Sequence, residues 1–271
     1  MLKDLTLIVD ARTKEAGSYA LSLAKLIDAH LTLFLVDVET ALATYSMAEL
    51  RYDLILAERE ERREAIVTTV TRLQSQGKAQ GLSVDALHLE ESNEAEIGRL
   101  NRTLRLFDLI IIEQAYGEQI GERARMIEAA IFEAARPVLL VPNIQTTPPS
   151  LKTILVAWDG SAPAARALDD ALPLLVRANH VEIVEVVTKS SVPCDEATLM
   201  RHLARHGVDA VFRQTPSTGD IGNTLLSHAA DVGADLLVMG AYGHSRLREA
   251  FLGGATRTIL ECMTIPVLMS R

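Results

Sequence analysis

The stretch ADLLVMGAYGHSRLREAFLGGAT, residues 234–256, decides the architecture. Its opening run, 234–239, is apolar nearly throughout, and a short run of that kind bounded by glycine is the mark of a strand buried on both faces. Gly240 and Gly243 follow at once, then the polar segment 244–249, and then Gly253 and Gly254, just ahead of a helix expected near 255–262. A Pro-led strand, PVLM at 266–269, comes next. Strand, glycine turn, helix and strand make a βαβ unit, the building block of a parallel sheet with helices on both faces.

Working backwards, the same signals recur. TILVA (153–157), VEIVEVV (181–187) and a segment near 209–213 read as further strands, with helices near 162–177, 195–206 and 219–231. The first half runs the same order: LTLIV (5–9), LTLFLV (31–36), FDLIIIEQAYG (107–117) as the echo of ADLLVMGAYG, and PVLLV (137–141), with a long helical stretch from about 43 to 80. A fixed order of elements run twice is a duplication. The expectation is two tandem doubly wound, five-stranded parallel-sheet α/β domains, 1–142 and 151–271, joined by a linker at 143–150 within the polar, Pro-rich stretch PNIQTTPPS (142–150). The charge run EREERRE (58–64) reads as a solvated helix face. Ser217 with Asp220, and Asn93 with Glu96, have the spacing of capping boxes.

Composition excludes several classes. Apolar residues make up 48% of the chain but aromatics only 4%, so the core is aliphatic. The formal charge of −9 argues against nucleic acid and anionic membranes as partners, since both require a basic footprint. It leaves anionic small ligands open, because a nest of backbone N–H groups binds phosphate on an acidic protein. Two cysteines, Cys194 and Cys262, give no disulfide framework. The opening MLKDLTLIVD lacks the form of a signal peptide, and no apolar run approaches the roughly 18 residues of a membrane span, so a soluble cytoplasmic protein is expected.

The chemistry rests on the glycines. The motifs G-x-x-x-x-G-K-[ST], G-x-G-x-x-G and G-x-S-x-G are all absent. Gly240 and Gly243, just past a buried strand, let backbone approach a ligand without Cβ atoms in the way. Gly253 and Gly254 expose N–H groups at a helix start, where the dipole favours an anion. This is a phosphate cradle. The same glycines also serve simply to end a strand and cap a helix, and spacing alone leaves both readings open.

The spacing Gly240-x2-Gly243-x9-Gly253, together with the opening ILVAWDGSAPAARAL (154–168), resembles the universal stress protein family, over all of 151–271 and more weakly over 1–142. The resemblance implies a Rossmann-like, adenine nucleotide alpha hydrolase-like fold. It implies ATP with a divalent metal, Mg in the first place, in the C-terminal domain. Asp159 would lie beside adenine and ribose, and the backbone of Val186 and Val187 beside the base. Gly240 and Gly243 would line the ribose and first phosphates, and Gly253, Gly254 and Ala255 would give N–H groups to the outer ones. Other members of the family bind no nucleotide. The family has Ser or Thr where this chain has Gly254; Thr256 is the candidate to supply the missing hydroxyl.

In the first half Glu113 stands where Gly240 stands in the second, Glu118 and Glu122 follow Gly117, and Asp10-Ala11-Arg12 replaces Asp-Gly-Ser. Carboxylates there repel a polyphosphate, so this half reads as a degenerate copy with a structural or pairing role. The implied assembly is an intrachain pseudo-dimer, with a homodimer and an unidentified protein partner as further expectations. The leading functional expectation is a nucleotide-dependent stress sensor or regulator without catalytic residues or a dedicated protein metal site. Three rivals stand beside it: a slow ATPase in which His244, Arg246 and Arg248 reach the γ-phosphate, an interaction module that has lost its nucleotide, and a binder of another small molecule or of zinc through Cys194, His202 and His206.

Overall fold

Ten strands form one sheet in the order β3-β2-β1-β4-β5-β10-β9-β6-β7-β8. They are β1 (Asp4–Val9), β2 (His30–Leu35), β3 (Val84–His88), β4 (Leu109–Glu113), β5 (Val138–Val141), β6 (Thr153–Ala157), β7 (His180–Val187), β8 (Ala210–Pro216), β9 (Leu236–Gly240) and β10 (Val267–Ser270). The helices are α1 (Glu15–Ile27), α2 (Tyr52–Ala79), α3 (Ile120–Glu133), α4 (Ala162–Leu175), α5 (Glu196–Arg205), α6 (Ile221–Asp231) and α7 (Gly254–Cys262). The structure, a computed structural model, describes residues 2–36, 52–88, 102–115, 120–188, 194–217, 219–241 and 254–271.

Each half contributes five parallel strands in the order 3-2-1-4-5, the doubly wound, Rossmann-like arrangement that the repeated βαβ signals predict. The two sets meet where β5 and β10 pair antiparallel, Val267 opposite Leu140 and Met269 opposite Val138. Both strands are buried along their whole length, which is why they are apolar except at Ser270. The outer strands β3 and β8 are largely exposed and carry polar residues. Two aliphatic layers cover the sheet. One gathers Leu5, Leu7, Leu21 and Leu23 with Ile154, Val156, Leu168 and Leu203, and the other gathers Ile110, Ile112, Ile127 and Ile131 with Leu155, Leu225, Leu237 and Ile259. Each layer runs across both halves, so the pairing of β5 with β10 is backed by packing above and below.

Local differences from the sequence reading have physical causes. The start of α6 is set by Asp220, whose Oδ2 accepts the Asn223 N–H at 2.8 Å, and not by a capping box at Ser217, whose hydroxyl turns to Gly219 instead. The Asn93–Glu96 pair lies outside the described residues. In α2 the side chains of Glu60, Glu61, Arg63 and Glu64 are exposed, as a solvated face requires. No helix among the described residues is long and apolar enough to cross a membrane.

Candidate functional site

In a doubly wound sheet the order reverses at one point, and the crevice there, outside the carboxyl ends of the strands, is where ligands bind. In the C-terminal half that point lies between β6 and β9. The sequence-derived candidates converge on it from three neighbouring strands and one helix. Asp159 follows β6, Gly240 ends β9, Val186 and Val187 end β7, and Gly254 opens α7.

Asp159 is exposed, and its Oδ1 accepts the Ser161 N–H at 2.9 Å. Gly160 between them has φ +72°, a conformation that side chains resist. The turn hands over to α4, whose first free N–H groups are met locally: the Ser161 hydroxyl accepts from Ala164 N at 3.2 Å. Gly240 has a separate reason to be glycine. A Cβ there would stand 2.5 Å from Ala164 N and 2.6 Å from the Pro163 carbonyl carbon. The end of β9 and the start of α4 are therefore in backbone contact, and the residue serves close packing whatever else it touches.

Successive residues of a parallel strand turn their backbone groups to alternate neighbours. Val184 C=O accepts from Trp158 N at 2.9 Å on the β6 side, and Val187 C=O accepts from Ser217 N at 3.0 Å on the other. The alternation turns the Val186 backbone towards β6, beyond the point where the pairing of β6 and β7 ends, and so over the crevice. Val187 has its carbonyl engaged on the far side and contributes an exposed side chain.

Gly254 is the first residue of α7 and is exposed, so the helix begins one residue earlier than the sequence suggests. A Cβ at Gly254 would meet only Asp220 Oδ1, at 3.8 Å, and its φ lies outside the left-handed region. Ala255 is half-buried. Thr256, the candidate for the missing hydroxyl, is buried, with 4% of its surface exposed. Gly243, Gly253, His244, Arg246 and Arg248 lie outside the described residues.

The matching crevice of the N-terminal half lies between β1 and β4, and charge fills it. Glu113 is buried, and its Oε2 accepts from Lys14 N at 2.8 Å and from Ala16 N at 3.0 Å. It thereby caps α1, which has no side-chain cap of its own. Arg123, near the start of α3 and also buried, stands 3.5 Å from Glu113 Oε1 and grips Asp10 with Nε at 2.8 Å and with Nη2. Burial pushes the Glu113 carboxyl above the ordinary range, against the opposing pull of the Ala16 and Lys14 N–H groups and of Arg123. The sequence reading cast Glu113 as a repulsive residue. In the structure it is held in the crevice by the first free N–H groups of α1. Arg123 went unnoticed because nothing local marks an arginine in IGERARM as buried. Gly117 and Glu118 are outside the described residues, as is the side chain of Glu122.

The zinc trio does not assemble. Cys194 Sγ accepts the Trp158 indole N–H at 3.1 Å, while the rings of His202 and His206 lie beside each other at 4.6 Å. Among the described residues no group of three or more His, Cys, Asp or Glu has the arrangement of a metal site.

Comparison with known proteins agrees with this geometry. The model of the universal stress protein family matches residues 150–271. Universal stress protein Slr1230 of Synechocystis is 29% identical over 173 residues, which cover 61% of this chain and 58% of the relative. The chain thus spans little more than half the length of that protein. Universal stress protein YxiE of Bacillus subtilis is 26% identical over 144 residues, 44% of this chain and 97% of the relative. The crystal structure of a universal stress protein from Archaeoglobus fulgidus shares the fold across 98% of both chains, with a TM-score of 0.73 at 15% identity. The strand-end Gly240 and the helix-start Gly254 thus lie in the segment, residues 150–271, that matches the model of the universal stress protein family.

Proposed function

We propose that the C-terminal half binds ATP in the crevice between β6 and β9, and that the protein acts as a nucleotide-dependent stress sensor or regulator. The observation that carries this reading is the contrast at one topological position. The N-terminal crevice holds Glu113, Arg123 and Asp10, whereas in the C-terminal half the strand-end carboxylate is replaced by a glycine and the helix α4 is capped by its own Ser161. A crevice with glycine in place of a buried strand-end carboxylate, beside an exposed glycine at a helix start, suits an anionic ligand.

The residues present fit this ligand. In this reading Asp159 would meet a ribose hydroxyl, the Val186 backbone an adenine edge, and the N–H groups of Gly254 and Ala255 a phosphate. Magnesium, where present, is carried by the phosphates and water, as this ion commonly is, since no described carboxylate cluster holds it. Hydrolysis is not needed for the role; binding alone biases conformation or partner contacts.

Calorimetric titration of the full chain with ATP tests the reading. One site per chain is expected. Two equivalent sites would overturn the division of labour between the halves, and no binding would leave an interaction module. Chromatography of small molecules released on denaturation gives an independent answer.

A further inference from the structure

Helix α7, whose start would meet the phosphates, is nine residues long, too short to hold itself in water. Its position comes from what grips it. At its C-terminal end, where helix carbonyls lack internal partners, the grip comes from the other half of the molecule. Gln114 donates from Nε2 to Leu260 O at 3.0 Å and leans towards Glu261 O at 3.4 Å. Gln114 immediately follows β4 and is nearly buried. Its backbone is fixed on both sides within the N-terminal half: its N–H donates to Val141 O at 2.8 Å, and its C=O accepts from Arg123 Nη1 at 3.3 Å. Arg123 is the residue that Asp10 and Glu113 hold. The charges in the N-terminal crevice thus end in a side-chain amide seated on the helix that opens the C-terminal one.

We propose that Gln114 is a positioning residue for the nucleotide cradle: the N-terminal half holds α7 by its C-terminus and fixes the angle at which its first N–H groups face a phosphate. The proposal rests on the ATP reading given above. Its physical content is leverage along a short rigid rod. Helix α7 packs on α6 so closely that a Cβ at Gly222 would lie 2.9 Å from Ala255 O. With that contact as fulcrum, freeing the far end tilts the near one.

The test uses the full-length chain with Gln114→Leu, which keeps the size and removes the donor, and Gln114→Lys, which restores a donor and adds a charge that a helix C-terminus favours. Amide hydrogen exchange over 254–262 is read without nucleotide, with β9 and β10 as the control for global unfolding. ATP and adenosine affinities are then measured. The leucine variant should speed exchange in α7 and weaken ATP by about five- to tenfold, the worth of one neutral hydrogen bond. The controls and adenosine affinity should be unchanged, and lysine should restore both readouts.

Unchanged exchange in α7 overturns the proposal. So does faster exchange with unaltered ATP affinity, equal weakening of ATP and adenosine, or a lysine variant no better than leucine. If the wild-type chain binds no ATP, the reading of the crevice is what fails, and the exchange data alone decide whether Gln114 holds α7.

Discussion

The two crevices of this chain are the same place built twice. Leu5 pairs with Leu109 as Ile154 pairs with Leu236, so Asp10 corresponds to Asp159 and Glu113 to Gly240. One crevice contains a buried carboxylate, its arginine and a second carboxylate; the other contains a glycine in backbone contact with a helix. A carboxylate brought into a low-dielectric crevice demands a counter-ion and donors, and Arg123 with the start of α1 supplies them. With a carboxylate at the strand end the helix cap is reassigned too, from a local Ser161 to a distant Glu113.

The comparison breaks most severely at Arg123. Arg123→Met strands two buried or half-buried carboxylates and should cost about 3–5 kcal/mol of stability, read by urea unfolding. Adding Asp10→Asn and Glu113→Gln to that background should recover a large part of the loss; no recovery would mean that the guanidinium acts mainly by packing. Next in size is Gly240→Ala. The new Cβ would press on the start of α4, and overpacking of this kind costs about 1–3 kcal/mol. A crystal structure of the variant should show the first turn of α4 displaced, and wild-type stability with α4 unmoved would refute the packing account of that glycine.

A smaller effect depends on pH. Because burial raises the Glu113 carboxyl in the folded protein, the native state holds this proton more tightly than the unfolded chain, whose glutamate titrates near about 4.3. This site's contribution to stability is therefore full below the unfolded value and falls as pH rises through the folded one. Glu113→Gln should remove that slope. The difference in unfolding free energy between wild type and variant should drift against the wild type as pH rises from 4. A drift of the opposite sign would mean that the Lys14 and Ala16 N–H groups and Arg123 outweigh burial.

The smallest expected effect sharpens the other crevice. At Gly254 a side chain has room and the backbone is not left-handed, so Gly254→Ser should fold normally and tighten ATP, but not adenosine, by up to about tenfold, one donor's worth. Asp220 Oδ1, 3.8 Å from the new Cβ, competes for the hydroxyl, so Asp220→Ala in the serine background should enlarge the gain. No tightening in either background would show that the site is not short of a hydroxyl.

Much of this was legible in the residues. The strands β5, β6 and β10 are apolar almost throughout because they are covered on both faces, and their bounds fall within a residue of the sequence reading. Edge strand β8 was read short, since Gln214, Thr215 and Pro216 have no apolar side to show. The antiparallel seam was not written locally: an edge that pairs with β10 and an edge that pairs with any other strand have the same composition. Gly240 and Gly254 were legible as the end of a strand and the start of a helix because such positions leave glycine signatures, whereas Asp159 was singled out through the family resemblance. Arg123 and Gln114 were not, because their partners, Asp10 and Leu260, lie far away along the chain, and no periodicity carries that information.

The carboxylate of Glu113 is tethered to the helix start it occupies. Its effective concentration there is set by chain geometry, so mass action cannot titrate it. Neither dilution of the protein nor a change in the level of any free anion alters that occupancy. The start of α1 therefore has its state fixed at synthesis, whereas the start of α7, in the binding mode proposed, varies with the level of the nucleotide. A chain with two variable crevices can respond in steps or cooperatively; if, as proposed, only the C-terminal crevice takes ATP, this chain has a simple saturation curve.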